Sequence, residues 1–375
     1  MMSRKLPEVC EIQYGFPFDS SLFSAEGDLP LIRIRDVVRG YTETYTSEKC
    51  DVAYLVHEGD ILVGMDGVFN VAKWKGEPAY LNQRVCRIIP NETIDADFLF
   101  YFIPTALKKI ENETAFVTVK HLKAKQLNAV VVPDVPIEEQ KKIAAQLNVI
   151  TDLIFLRQRQ AEKLDELVKA RFVEMFGDPV LNCQGFPVRT IGELTTEVKY
   201  GTSKPAVEGG KYPYLRMNNL TIDGKLDLHD LKQIDVDTSE FEKCVVRKGD
   251  VLFNRTNSAE LVGKTAYYGL DEEMIIAGYI IRVRVNNLIL PQYLSFYMNM
   301  PFMKQRIRSM AKGAVNQANI NSKELKSIKV IVPPLEVQGK VVEYEERIDR
   351  EKDRIQRSAA LLETLKRSLM QQYFG

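Results

Sequence analysis

The segment PIEEQKKI at 136–143 has a second copy, PLEVQGKV, at 334–341. Pro136, Glu138 and Gln140 fall on Pro334, Glu336 and Gln338, an offset of 198 residues. Carried forward, the offset sets Ile143 on Val341, Ile150 on Ile348, Ala161 on Ala359, Leu164 on Leu362 and Leu167 on Leu365. It ends on Phe-Gly at 176–177 and again at 374–375. About forty residues align without a gap. The chain is therefore duplicated, and a duplication constrains architecture before any local signal does.

Both copies read as long helices. From Ile143 a 4-3 spacing picks Ile143, Leu147, Ile150, Ile154, Arg157, Ala161, Leu164, Val168, Arg171 and Met175, eight of ten apolar. From Val341 the same register gives Val341, Glu345, Ile348, Lys352, Ile355, Ala359, Leu362, Lys366, Leu369 and Tyr373, seven of ten apolar. A sustained heptad seam is the pattern of a coiled coil. Pro136 and Pro334 sit where a helix start tolerates proline, and Gly177 suits a helix stop. The first helix leaves one globule and only DPVLNCQGFPVRT, 178–190, precedes the second globule. The second helix then starts from that globule, so pairing with the first sends it back. The pair is expected to be antiparallel and roughly 60 Å long at about 1.5 Å per residue.

The repeat continues outside the helices. LPLIRIRDV (29–37) resembles YPYLRMNNL (212–220), and EGDILV (58–63) resembles KGDVLF (248–253). VCRIIP (85–90) matches IIRVRV (280–285), DADFLFYFI (95–103) matches LPQYLSFYM (290–298), and LNAVVVPDVP (127–136) matches LKSIKVIVPP (325–334). Each half reads as short strands and turns, a helix, a strand stopped by proline, then the long helix. The expected fold class is α+β, with two globules joined by a long antiparallel two-helix coiled coil and approximate two-fold symmetry within one chain. The expected division is a first globule at 1–135, a helix at 136–177, a second globule at 178–332 and a helix at 333–375.

At 375 residues the chain has material for two or three domains. It is 45% hydrophobic and 27% charged, a globular composition. No apolar run reaches the eighteen or so residues that span a bilayer. The start, MMSRKLPEVCEI, has no apolar h-region, which argues for the cytoplasm. Five scattered cysteines without a CxxC pair fit reduced thiols rather than disulfides or zinc. Fifty-one Lys and Arg cancel fifty-one Asp and Glu. A lone, tight nucleic-acid binder is usually more basic.

Two variable halves, each closed by a Pro-x-Glu-x-Gln-headed helix, resemble the specificity (S) subunit of type I restriction–modification systems. The resemblance covers essentially the whole chain, and the duplicated order with both helices in register carries it. It implies that each globule is a target-recognition domain reading one half of a split site in double-stranded DNA. It also implies that the helices fix the gap and that two methyltransferase (M) subunits dock on the assembly. Two restriction (R) subunits can be added. S-adenosylmethionine, ATP and magnesium then belong to the partner subunits, and this chain holds none of them.

Base edges are read by Arg or Lys on guanine and Asn or Gln on adenine. The richest cluster is FNRTNSAELVGK at 253–264, with Asn254, Arg255, Thr256, Asn257 and Ser258. Its positional equivalent, GMDGVFNVAKWK at 64–75, offers Asp66, Asn70 and Lys73. A second loop, YGFPFDSS (14–21) or YGTSKPA (200–206), supplies Ser20 and Ser21, or Thr202, Ser203 and Lys204. A third, KGAVNQANIN (312–321), carries Lys312, Asn316, Gln317 and Asn319, and its counterpart AFVTVKHLK (115–123) carries Thr118, Lys120 and His121. Gln83 and Arg84 in NQR, and Arg33 in LPLIRIRDV, complete the set. Asn, Ser and Gly are also ordinary turn residues. Their recurrence at matching places in both copies tips the reading toward DNA.

No active site emerges. VGKT at 262–265 lacks the P-loop glycine five residues upstream, where Ser258 stands. The Asp and Glu-x-Lys of PDVPIEEQKK lie at a junction whose second copy, PPLEVQGK, lacks that charged set. The histidines, His57, His121 and His229, are far apart, and there is no G-x-S-x-G elbow. The alternative function is a coiled-coil adaptor whose globules bind proteins.

Overall fold

The computed structural model describes residues 4–113, 120–177, 182–314 and 317–375. They form two compact units, Met1–Arg159 with Ile355–Gly375, and Gln160–Arg354. These limits cut through both long helices, Ile137–Phe176 and Leu335–Phe374, rather than between helix and globule. Each unit is thus a head plus one half of each helix.

The duplication is visible in strand pairing. In the first unit a four-stranded antiparallel sheet has the spatial order Cys10–Tyr14, Val85–Pro90, Ile61–Gly64, Val71–Lys73. The second unit repeats it as Thr195–Tyr200, Ile280–Val285, Val251–Asn254, Thr265–Tyr267. A further sheet pairs Leu29–Ile32 in parallel with Ala79–Leu81, as Tyr212–Leu215 pairs with Met274–Ile276. The two sheets meet at Gly15 and Gly201. A Cβ on Gly15 would lie 2.1 Å from the Asn82 carbonyl oxygen, and one on Gly201 2.1 Å from that of Ile276. Only glycine lets the backbones approach so closely. The copies differ in this helix: Ala96–Glu113 is continuous and accommodates Pro104 in its interior, whereas Met300, extended before Pro301, separates Pro291–Asn299 from Pro301–Met310.

The helix halves pack within each unit as the heptad register requires. Every register position is buried or partly buried except Arg171. In the first unit Phe374 is buried with its ring 5.2 Å from Phe98 and 5.9 Å from Phe102, and Tyr373 Oη donates to Gln146 at 3.1 Å. In the second unit Lys352 donates to Asp165 at 2.7 Å, and Arg171 lies 6.0 Å from the Tyr344 ring. Numbers rise along one helix as they fall along the other, so the pairing is antiparallel.

The glutamine of the repeated Pro-x-Glu-x-Gln motif joins helix to head. Gln140 and Gln338 are both fully buried. Gln140 Nε2 donates to the Val135 carbonyl at 2.7 Å, and its Oε1 accepts the Asp95 N–H at 2.8 Å. Gln338 Nε2 donates to Pro333 (2.8 Å) and Leu288 (3.0 Å), and its Oε1 accepts the Leu290 N–H at 2.8 Å. Each side chain thereby ties the strand exit to the N-terminus of the aromatic helix. Gln140→Met keeps the volume but strands buried backbone groups, so it should cost about 2–4 kcal/mol in urea unfolding. A near-neutral result would show that packing alone holds the junction.

Glu345, on the second long helix, faces a cavity of about 330 Å³ shared with Asp165, Asp223, Asp349 and Lys352. Burial, then the neighbouring Asp349, pushes its carboxyl up to about 8 against the opposing pull of Lys225 and Lys352. A raised carboxyl pKa stabilises the fold fully below the ordinary value near 4.5, and that stability is lost as pH rises through about 8. Glu345→Gln should therefore flatten the stability of the second unit between those limits and exceed the parent above them. Parallel stability curves for parent and variant would contradict this.

Candidate nucleic-acid interface

Matching hydrogen bonds align the two heads residue by residue. Met65 N–H donates to the Arg84 carbonyl (3.0 Å), and its own carbonyl accepts the Leu122 N–H (2.7 Å). Arg255 N–H donates to the Tyr279 carbonyl (2.9 Å), and its carbonyl accepts the Ile320 N–H (2.9 Å). Met65 and Arg255 are thus equivalent, as are Arg84 and Tyr279. The bridge between Asp66 and His121 corresponds to the pairing of Thr256 with Asn319. The same backbone frame carries different side chains.

In the second unit the frame surrounds a cavity of about 590 Å³. Thr202, Ser203 and Lys204 line it from one loop, Arg255 from another, and Arg216, Asn218 and Tyr279 from two more. The structure thus brings Thr202–Lys204 together with Arg255 and adds Arg216, which sequence reasoning omitted. Its counterpart Arg33 is among the sequence candidates, and the match of YLRMNN to LIRIRD points to Arg216. The Arg255 guanidinium lies 5.0 Å from the Tyr200 ring, whose hydroxyl accepts the Ser322 N–H at 2.7 Å. Lys204 pairs with Asp237 at 3.2 Å and Arg216 with Asp230 at 2.7 Å. Hydrogen bonds from Lys232 and Arg216 hold the Asp230 carboxyl below the usual range, so it stays ionised.

Several candidates turn inward instead. Asn254 is fully buried, its amide donating to the carbonyls of Thr256 and Tyr279, both at 3.2 Å, and accepting from Asn257 at 3.0 Å. Thr256 is buried and donates to the Asn319 side chain at 3.1 Å. Thr202 is buried too, its hydroxyl accepting the Lys204 N–H at 3.2 Å. Asn254 and Thr256 build the loop from inside, whereas Thr202 lines the cavity with its hydroxyl engaged by its own backbone. Asn257 and Ser258 are half-buried, and the Ser258 carbonyl accepts the Leu261 and Val262 N–H groups in a turn. Ser203 is exposed. Lys312 and Gln317 lie on the paired strands Lys312–Ala314 and Gln317–Asn319, whereas Asn316 and Thr118 fall outside the described residues.

In the first unit Asp66, Arg84 and His121 come together. Arg84 Nη1 lies 3.3 Å from Asp66 Oδ2, and His121 Nδ1 bonds the other carboxylate oxygen. Arg84 and His121 remain exposed. Ser20 and Ser21 form an exposed turn capped by Asp19, which accepts the Ser21 N–H at 2.9 Å. Gln83 is exposed, and Arg33 is exposed with its guanidinium 5.8 Å from the Phe23 ring. Asn70 is half-buried. Lys73 and Lys120 are engaged within the head. Lys73 is ion-paired to Asp97 over the Phe100 ring, and Lys120 donates to the Glu111 carbonyl at 3.1 Å, so both brace the Ala96–Glu113 helix. Sequence spacing could not show this, because Asp97 is 24 residues from Lys73 on another element, and the Glu111 partner of Lys120 is a main-chain carbonyl at a helix end.

Among the described residues no group of three or more His, Cys, Asp or Glu could hold a metal ion, and no helix is long and apolar enough to cross a membrane. Residues 1–166 and 185–366 match the family described as the type I restriction modification DNA specificity domain. The chain belongs to that family, and its work is DNA-sequence recognition. It is similar to the Escherichia coli EcoBI specificity subunit, 28% identical over 384 residues that cover 94% of this chain and 80% of the relative. The EcoKI specificity subunit of Escherichia coli strain K12 is 23% identical over 72% of this chain and 61% of its own. The fold also matches the crystal structure of the S subunit from M. genitalium, with a TM-score of 0.61 at 17% identity, over 100% of this chain and 96% of that one.

Asn254→Ala should lower stability by about 2–3 kcal/mol, because it removes two buried amide-to-carbonyl bonds and the acceptor of the Asn257 amide, whereas exposed Ser203→Ala should stay within about 0.5 kcal/mol. Urea midpoints of the two variants check the division between loop-building and presented residues.

Proposed function

We propose that this chain is the non-catalytic reader of a split DNA site, with each head reading one half and the paired helices setting the gap. The observation that carries this reading is the matched frame with exchanged side chains. Arg255 and Tyr279 occupy in one head the positions of Met65 and Arg84 in the other, so the halves of the site would differ in sequence. Two M subunits dock on the chain and methylate adenine with S-adenosylmethionine. Two R subunits add the ATP- and magnesium-dependent nuclease, and this chain carries none of these cofactors.

The charge balance supports the same division of labour. Phosphate contacts dominate affinity, while base contacts specify sequence. A neutral chain whose rim cations are paired to carboxylates gives little bulk attraction, so partners that clamp the flanking duplex would supply it.

Methylated adenines in host DNA, sequenced with and without this chain, should reveal one two-part motif that depends on it. Removing seven residues from each long helix together should shorten the gap and leave both half-sites unchanged. A motif indifferent to the chain would refute the reader role, and an unchanged gap would refute the spacer role.

A further inference from the structure

We infer that the second head reads a guanine through Arg255, restrained over the Tyr200 ring, and that the first head does not read guanine at the equivalent position. The inference rests on the DNA reading above and adds a base identity to one of its two heads.

Three basic side chains, Lys204, Arg216 and Arg255, reach the 590 Å³ cavity. Two are neutralised, by Asp237 and Asp230. Arg255 pairs with no carboxylate among the described residues. Its Nη1 lies 3.5 Å from the Gly278 carbonyl, at the outer limit of a hydrogen bond, and its Nε is buried without a hydrogen-bond partner. A partly desolvated guanidinium left with unspent donors is costly unless a ligand completes it.

The ligand must offer acceptors in a plane. The Tyr200 ring, 5.0 Å from the guanidinium carbon, restrains the fork before any ligand arrives. Guanine presents O6 and N7 side by side, the acceptor pair that a guanidinium meets with two parallel hydrogen bonds. A backbone phosphate is a poorer fit. The two cations that share the cavity already have carboxylate partners, and phosphate contacts do not call for a half-buried, ring-held side chain. In the first head the same backbone position is Met65, buried and without a donor, and Asp66 occupies the nearby Arg84.

The test uses cells carrying the complete system with the parent chain, Arg255→Lys or Arg255→Gln, and reads the methylated motif. Lysine keeps the charge but lacks the two-pronged donor, so it separates guanine reading from phosphate attraction. Both variants should lose roughly 5- to 150-fold discrimination at a single G·C pair in one half-site, with the other half-site unaltered. Relaxation at an A·T pair, an intact motif, or a uniform fall in methylation with selectivity retained would each overturn the inference. A parent chain that directs no motif at all would instead overturn the reader role beneath it. Thermal unfolding of the purified complexes accompanies the assay. If the Arg255→Gln chain fails to fold, Arg255→Lys alone decides.

Discussion

Each head depends on one buried amide. Gln140 and Gln338 make both a donor and an acceptor bond in the buried junction where the closing strand, the aromatic helix and the long helix converge. A buried polar side chain is tolerable only when its hydrogen bonds are made. Because each bond is to backbone, the amide fixes the direction in which the long helix leaves its head and is indifferent to which side chains the head displays. That independence lets two copies of one scaffold diverge at their rims.

The divergence follows a rule of placement. Backbone hydrogen bonds around Met65 and Arg255 coincide, and the glycines at 15 and 201 allow the same close crossing of sheets. The side chains at the mouth are exchanged wholesale, an acid held between a histidine and an arginine in one head and an arginine seated on a tyrosine in the other. A rigid frame with replaceable contacts is a means of changing specificity without refolding.

Electrostatics around Arg84 in one head and around the cavity in the other follow the overall balance of the chain. Arg84, Lys204 and Arg216 are each within ion-pair distance of a carboxylate. Half-exposed pairs of this kind contribute little to stability. Their effect is to orient the donors and to mute long-range attraction to phosphate, leaving selectivity to short-range contacts.

The sequence by itself determined the duplication, the two long helices and their antiparallel sense. Heptad spacing and a constant offset are one-dimensional properties, and connectivity leaves few ways to return. It also located the loops that face the mouth, because turn-rich segments recur at matching places. It did not separate the residues that build those loops from the residues they present. Asn254 and Arg255 are neighbours in the chain, yet one is fully buried and spent on backbone carbonyls while the other lines the cavity. Nor did the sequence show that Lys73 is ion-paired to Asp97 on another element. Which way a side chain faces in a bulged loop, and which distant charge it meets, depends on packing between segments far apart in sequence, so only the tertiary structure decided it.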